Sequence, residues 1–207
     1  RVHRPDLPDL GTTVWVDCLH TDGPGLRLAG HPVEAVTQVE EVSAALQDET
    51  GLYSHGYDVA SGQPNAVHWG RGQGWALLGL TGARSERLRP RVDALVTALS
   101  RCEEDGRWRT VVDAQDSPVE NSVSALVALG VMSGVRAGVL DASWLAMSDR
   151  ALDAAVAAID GDGGLPVSSA TPVGVPDTYA ERDTGVHPWG QGPLLLALLA
   201  ANGTQSR

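Results

Sequence analysis

The sequence predicts an all-α protein, a toroid of helical hairpins forming one domain over residues 1–207. Three observations carry this. Amphipathic stretches alternate with small, apolar, nearly uncharged stretches, at a spacing of roughly 50–70 residues per pair. Each apolar stretch follows a Gly/Pro/Asp-rich loop carrying Trp, His or Asp. Two of those entries also resemble one another: His68-Trp69-Gly70-Arg71-Gly72-Gln73-Gly74 and His187-Pro188-Trp189-Gly190-Gln191-Gly192-Pro193. A fixed pattern returning at such a period marks a repeat architecture.

Segment 32–48 places Val33, Val36, Val39, Val42 and Leu46 on one stripe; Pro32 suits a first turn and Gly51 stops the chain soon after. Segment 90–104 begins at Pro90 and repeats Val92, Leu95, Val96, Leu99 and Cys102. Segment 141–160 opens with an Asp-Ala-Ser capping signal and runs Leu145, Leu152, Val156 and Ile159 along one face. Segments 72–82, 119–131 and 191–201 are apolar nearly all round, as interior helices are. Strand signals are weak, with 108–112 the candidate. Hairpins are expected to begin near Trp15, Trp69, Pro118 and Trp189. Four hairpins amount to two-thirds of a closed double ring, incomplete at its N-terminal side. Such a ring leaves apolar helix faces for a partner or for self-association.

Hydrophobic residues make up 43% of the chain, enough for a sizeable core. Arg supplies every positive side chain, Lys is absent and the net charge is −11, which argues against nucleic acid as a partner. The longest apolar run, 193–201, is far short of the roughly 20 residues that span a bilayer. No charged-then-apolar leader pattern is present, so a cytoplasmic location is expected. Cys18 and Cys102 are expected as reduced core residues. No metal or cofactor is expected: cysteines and histidines do not cluster, and the glycines of 70–74 are not spaced as a dinucleotide loop. Asp160-Gly161-Asp162-Gly163-Gly164 lacks the remaining ligands of a calcium loop and reads as a turn.

Asp17 lies within the apolar, aromatic run 11–20, where partial desolvation favours the protonated form a general acid needs; a helix cap is the plainer reading. Segment 51–58 is dense in Tyr and His, side chains that stack on and hydrogen-bond to sugars; an ordinary turn with Asp58 on local amides is the alternative. Trp69 and Trp75 flank Arg71 and Gln73. That Arg offers a fork to a carboxylate, or else belongs to a capped helix start and pairs with a neighbouring Asp.

Trp15-Val16-Asp17, His55-Gly56-Tyr57-Asp58, Trp69 to Trp75, Tyr179-x-x-Arg182 and Pro188 to Gly192 occur in the order seen in the unsaturated glucuronyl and unsaturated rhamnogalacturonyl hydrolase families of glycoside hydrolases, which this chain resembles along nearly its whole length. The resemblance implies an (α/α)6 barrel without cofactor. Its implied partner is an oligosaccharide ending in a 4,5-unsaturated uronic acid, whose double bond is hydrated so that the neighbouring sugar is released. On that resemblance Asp17 is the acid/base, and His55, Trp69, Arg71 and Trp75 line the sugar pocket, Arg71 on the uronate carboxylate and Trp75 by stacking. Gln73 stands where many rhamnogalacturonyl-type members have Asn, which bears on subsite preference. Family members are longer and carry a second functional Asp upstream of the Trp-x-Asp motif; Asp6 and Asp9 are too close to Asp17 to match it. Two other readings remain: a non-catalytic carbohydrate-binding toroid, and a sugar epimerase using His55 and His187, against which the Trp-x-Asp motif argues.

Overall fold

The computed structural model describes residues 11–204; Asp6 and Asp9 lie outside them. In chain order the elements are β1 (Thr13–Trp15), α1 (Asp17–Leu28), α2 (Pro32–Leu46), β2 (Gly56–Asp58), β3 (Gln63–Pro64), α3 (Gly70–Gly82) and α4 (Arg89–Arg101). There follow α5 (Asn121–Arg136), α6 (Leu145–Ala157), β4 (Pro166–Ser168), α7 (Pro176–Ala180), β5 (Thr184–Val186) and α8 (Pro188–Thr204). Along an inner layer α1 packs on α3, α3 on α5 and α5 on α8, while α2, α4 and α6 each lie outside the inner helix that precedes them. Three hairpins begin where the sequence places them; near Trp189 the described residues hold the inner helix α8 alone and not a fourth hairpin.

Pro32 and Pro90 occupy the first turns of α2 and α4, where their missing N–H costs nothing. The α4 stripe of Val92, Leu95, Val96 and Leu99 is buried, as are Val36, Val39, Val42 and Leu46 of α2. Three expectations need correction. Val33 is 68% exposed, off the buried stripe of α2. In α6 the buried side chains are Met147, Ala151, Ala154 and Ala155, with Leu152 half-buried and Val156 exposed. Small residues let that helix lie close against α5, and Ser148 Oγ donates to Ala128 O at 3.0 Å across the contact. Finally, α8 is interior on one side only: Leu194 and Ala197 are buried, but Leu195, Leu196 and Leu199 are 59%, 54% and 60% exposed.

Segment 108–112 is not a strand; it contributes isolated bridges, Trp69 to Val111 and Arg109 to Val119. The strands are instead three short pieces before α1 and α3 and two before α8. β1 pairs antiparallel with β2, Thr13 opposite Asp58 and Trp15 opposite Gly56, and β4 pairs with β5, Ser168 opposite Thr184. Cys18 is buried and Cys102 half-buried, both as thiols. Asp160 Oδ1 accepts from Asp162 N and Gly164 N at 3.0 and 2.7 Å, so that segment is the expected turn.

Glycines set the spacing of the inner layer. A Cβ at Gly79 would meet the Leu19 backbone of α1, its carbonyl carbon at 2.5 Å, and one at Gly74 would lie 2.5 Å from Leu126 Cβ of α5. Alanine at Gly79 gains up to about 1 kcal/mol of helix propensity. The obstacle there is backbone, however, and overpacking of that kind costs about 1–3 kcal/mol. Gly79→Ala is therefore expected to lower the urea midpoint, and a raised midpoint would show that α1 and α3 separate freely.

Between the α1–α2 edge and α8 lies a cavity of about 1090 Å³, bordered by Leu28, Pro32, Trp75, Leu129, Trp189 and Leu196 among others. No helix among the described residues is long and apolar enough to cross a membrane.

Candidate active site

The starts of the inner helices and the short strands converge at one end of the layer. Val16 N donates to His55 O at 2.8 Å beside the β1–β2 ladder, so Asp17 opens α1 directly against His55. His55 Nε2 lies 3.5 Å from Asp17 Oδ2; the His side chain is 0% exposed and the Asp 28%. On its other side His55 Nδ1 is hydrogen-bonded to Tyr179 Oη at 2.8 Å. That oxygen already accepts from Asn65 Nδ2 and Gly174 N, each at 3.2 Å. Its own hydrogen is thereby assigned to His55 Nδ1, which places the imidazole proton on Nε2, facing Asp17. Burial, with the Asp17 charge adding and the Gly174 and Asn65 donors opposing, pushes the Tyr179 hydroxyl up to about 12, so it stays protonated at neutral pH. The rings of Trp15, Trp69 and Tyr179 box the imidazole at centroid distances of 5.5, 4.3 and 5.6 Å.

Trp69 is 3% exposed and Arg71 2%. The Arg71 guanidinium lies 5.1 and 5.3 Å from the Trp69 and Trp189 rings. Its Nη2 donates to Ser168 O and Ser168 Oγ, both at 2.6 Å, and its Nε donates to Ser122 Oγ at 3.2 Å. Glu120 Oε2 is 3.6 Å from Nη2 and accepts from Ser168 N at 3.0 Å, while Oε1 accepts from Ser122 N and Oγ. Burial lowers the Arg71 pKa, opposed by the Glu120 and Asp17 charges. Nε and Nη2 are engaged by Ser122 and Ser168, while Nη1 makes only a 3.4 Å contact to Ser169 O. The acid beside the guanidinium is Glu120, across the α3–α5 contact, and not an Asp close in sequence.

Gln73, 0% exposed, accepts from Tyr53 N at 2.8 Å and donates to Tyr53 O at 2.7 Å. It anchors the segment leading to His55 from within the core. Gln191 repeats the device at α8, accepting from Leu165 N at 2.6 Å. Trp75 is half-buried on the cavity wall, one side against His20 at 4.8 Å and 22°. His187 stacks on Trp189 at 4.6 Å, so His55 and His187 serve different partners. Asp58 accepts from Ala60 N, Thr12 Oγ1 and Ser61 Oγ, the plain turn reading. Of the expected site residues, Asp17 and Trp75 carry accessible surface, while His55, Trp69 and Arg71 form the buried wall behind them. Tyr179, singled out in the sequence only as part of the Tyr179-x-x-Arg182 motif, completes that wall with Asn65, Glu120 and Ser168, which the sequence did not mark.

His68, the first residue of the repeated motif, is part of a clasp. Its Nδ1 is 2.7 Å from Asp113 Oδ2 and its Nε2 2.9 Å from Asp48 Oδ2. Two carboxylates facing both ring nitrogens require both N–H groups, hence the imidazolium. Burial disfavours that charge, but Asp113 and Asp48 outweigh it and raise the pKa. The His68 hydrogen bond lowers Asp113 against the cost of burial. At Asp48 burial is outweighed by Thr50 and His68. A raised histidine stabilises fully below its unfolded value near 6.5 and loses that contribution as pH rises through the folded value. The lowered carboxylates keep theirs until pH falls through their folded values. The melting temperature should therefore decline as pH rises above about 6.5 through the folded value, and His68→Gln should flatten that limb; equal slopes in both proteins would refute the clasp.

Parallel inner helices whose starts gather a partly accessible Asp17 and a boxed His55 at one end, with outer helices packed behind them, are the arrangement of a helical toroid. The chain belongs to Glycosyl Hydrolase Family 88, whose family model matches residues 13–203. It is 30% identical over 214 residues to the unsaturated rhamnogalacturonyl hydrolase YesR of Bacillus subtilis, an alignment covering 90% of this chain and 58% of that protein. A Salmonella enterica structure described as a possible member of the GH105 family superposes with a TM-score of 0.88 at 24% identity, over 99% of this chain and 60% of that one. The unsaturated glucuronyl hydrolase of Bacillus sp. GL1 gives 0.71 at 18% identity, over 94% and 60%. These likenesses establish the (α/α)6 toroid fold, of which the chain spans about three-fifths of the relatives' length.

Proposed function

We propose that this chain carries the acid/base half of a hydrolase acting on oligosaccharides that end in a 4,5-unsaturated uronic acid. The observation that supports it most is Asp17: it opens an inner helix, is partly accessible, and has a proton-bearing His55 Nε2 held 3.5 Å from its carboxylate. Asp17 as the acid donates its proton to C4 of the enol ether, and positive charge develops at C5. Water adds to C5 while the Asp17 carboxylate takes the proton that water loses, restoring the acid. The resulting hemiketal opens and releases the neighbouring sugar. His55, fixed by Tyr179, is a positioning residue for Asp17. Trp69 and Arg71 shape the pocket from behind, and Trp75 with its paired ring supplies the stacking surface.

A second reading, oligosaccharide binding without turnover, is favoured by the two tryptophans on the cavity wall, Trp75 stacked on His20 and Trp189 stacked on His187 behind it. One experiment separates them. Lyase-generated unsaturated disaccharides are mixed with the 207-residue chain, and the near-ultraviolet absorbance of the conjugated enol ether is followed beside a calorimetric titration. Falling absorbance supports hydration. Heat of binding with constant absorbance supports the second reading, and neither signal overturns both.

A further inference from the structure

His20 stands on α1 one turn beyond Asp17, so both side chains share the helix face turned to the site. It lines the large cavity with its ring stacked on Trp75 at 4.8 Å. The imidazole makes no hydrogen bond among the described residues, and its Nδ1 is buried without a partner. A buried N–H left unpaired is costlier than an unpaired acceptor, which assigns the ring proton to Nε2 and leaves that N–H as the open polar edge on the cavity. Burial lowers the His20 pKa against the opposing Asp17 charge, so the ring is neutral at pH 7 and suited to an uncharged partner. A flat face backed by a second aromatic ring, with one directed donor at its rim, is complementary to a sugar: apolar C–H groups lie on the face and a hydroxyl meets the donor.

We propose that His20 is a specificity-determining substrate contact, its Nε2–H donating to a hydroxyl of the sugar ring held beside Asp17. This inference rests on the oligosaccharide reading of the same site. Nothing in the fold needs the polar edge, since the Trp75 contact is made by the ring face and would survive in a phenyl ring. The role therefore predicts a loss confined to ligand binding.

The test measures binding of an unsaturated disaccharide through the intrinsic tryptophan fluorescence, in an Asp17→Asn background so that the ligand persists. Adding His20→Phe keeps the stack and removes the donor; affinity should fall roughly 3–10-fold, the worth of one hydrogen bond. Adding His20→Gln, which restores an N–H at similar reach, should recover most of it. Unchanged affinity in the Phe variant overturns the proposal and leaves the oligosaccharide reading standing. Equal weakening by Phe and Gln also overturns it, because shape and not the donor would then be responsible. No binding at all in the Asp17→Asn chain overturns the oligosaccharide reading, and this contact with it.

Discussion

Asp17→Asn is expected to reduce turnover of an unsaturated disaccharide by roughly 10²–10⁴-fold, the usual worth of a placed acid/base group. The amide has nearly the carboxyl's shape and keeps the position opposite His55 Nε2 and the first turn of α1. It has no proton acidic enough for C4 and accepts none from the attacking water. Binding should stay within a few-fold, since the proposal assigns recognition to the stacked rings and the wall behind them. Absorbance loss at the wild-type rate in this variant would remove Asp17 from the chemistry altogether.

The second large effect concerns stability. Glu120 and Arg71 side chains are 1% and 2% exposed. Glu120→Ala strands the guanidinium without a counter-charge and orphans Ser168 N and Ser122 N, each of which now donates to that carboxylate. Removing one member of a buried pair costs about 3–5 kcal/mol. Replacing both, Arg71→Met with Glu120→Leu, should be markedly less damaging than Glu120→Ala alone, because no charge is left buried. Urea denaturation of the three variants decides it. A Glu120→Ala loss below about 1 kcal/mol would place the pair with ordinary surface bridges.

The helical alternation, the hairpin starts and the Trp-x-Asp motif were legible because each is local: spacing within one helix or one entry loop suffices. Arg71 shows where locality ends. Its residue type invited a carboxylate ligand, yet the acid it meets opens a different inner helix, 49 positions along the chain, and no spacing rule joins Arg71 to Glu120 or to Ser168. The clasp of His68 between Asp48 and Asp113 is long-range in the same way. The strands escaped notice because pieces of two or three residues are too short to show alternation. The exposed side of α8 was invisible for another reason: composition says that a helix is apolar, not whether a neighbour covers it. His20 was within reach, since three residues after Asp17 on a helix is the same face.

Among the described residues the inner helices touch in sequence, α1 on α3, α3 on α5 and α5 on α8. Contacts of that kind pass a disturbance from one helix to the next, as in stacked-repeat proteins. Trp189 rides on α8 and touches Arg71, which in turn braces Trp69 and His55. A shift at the start of α8 would thus reach His55, the neighbour of Asp17, through three aromatic and cationic contacts, which ties the proposed acid/base geometry to the packing of α8.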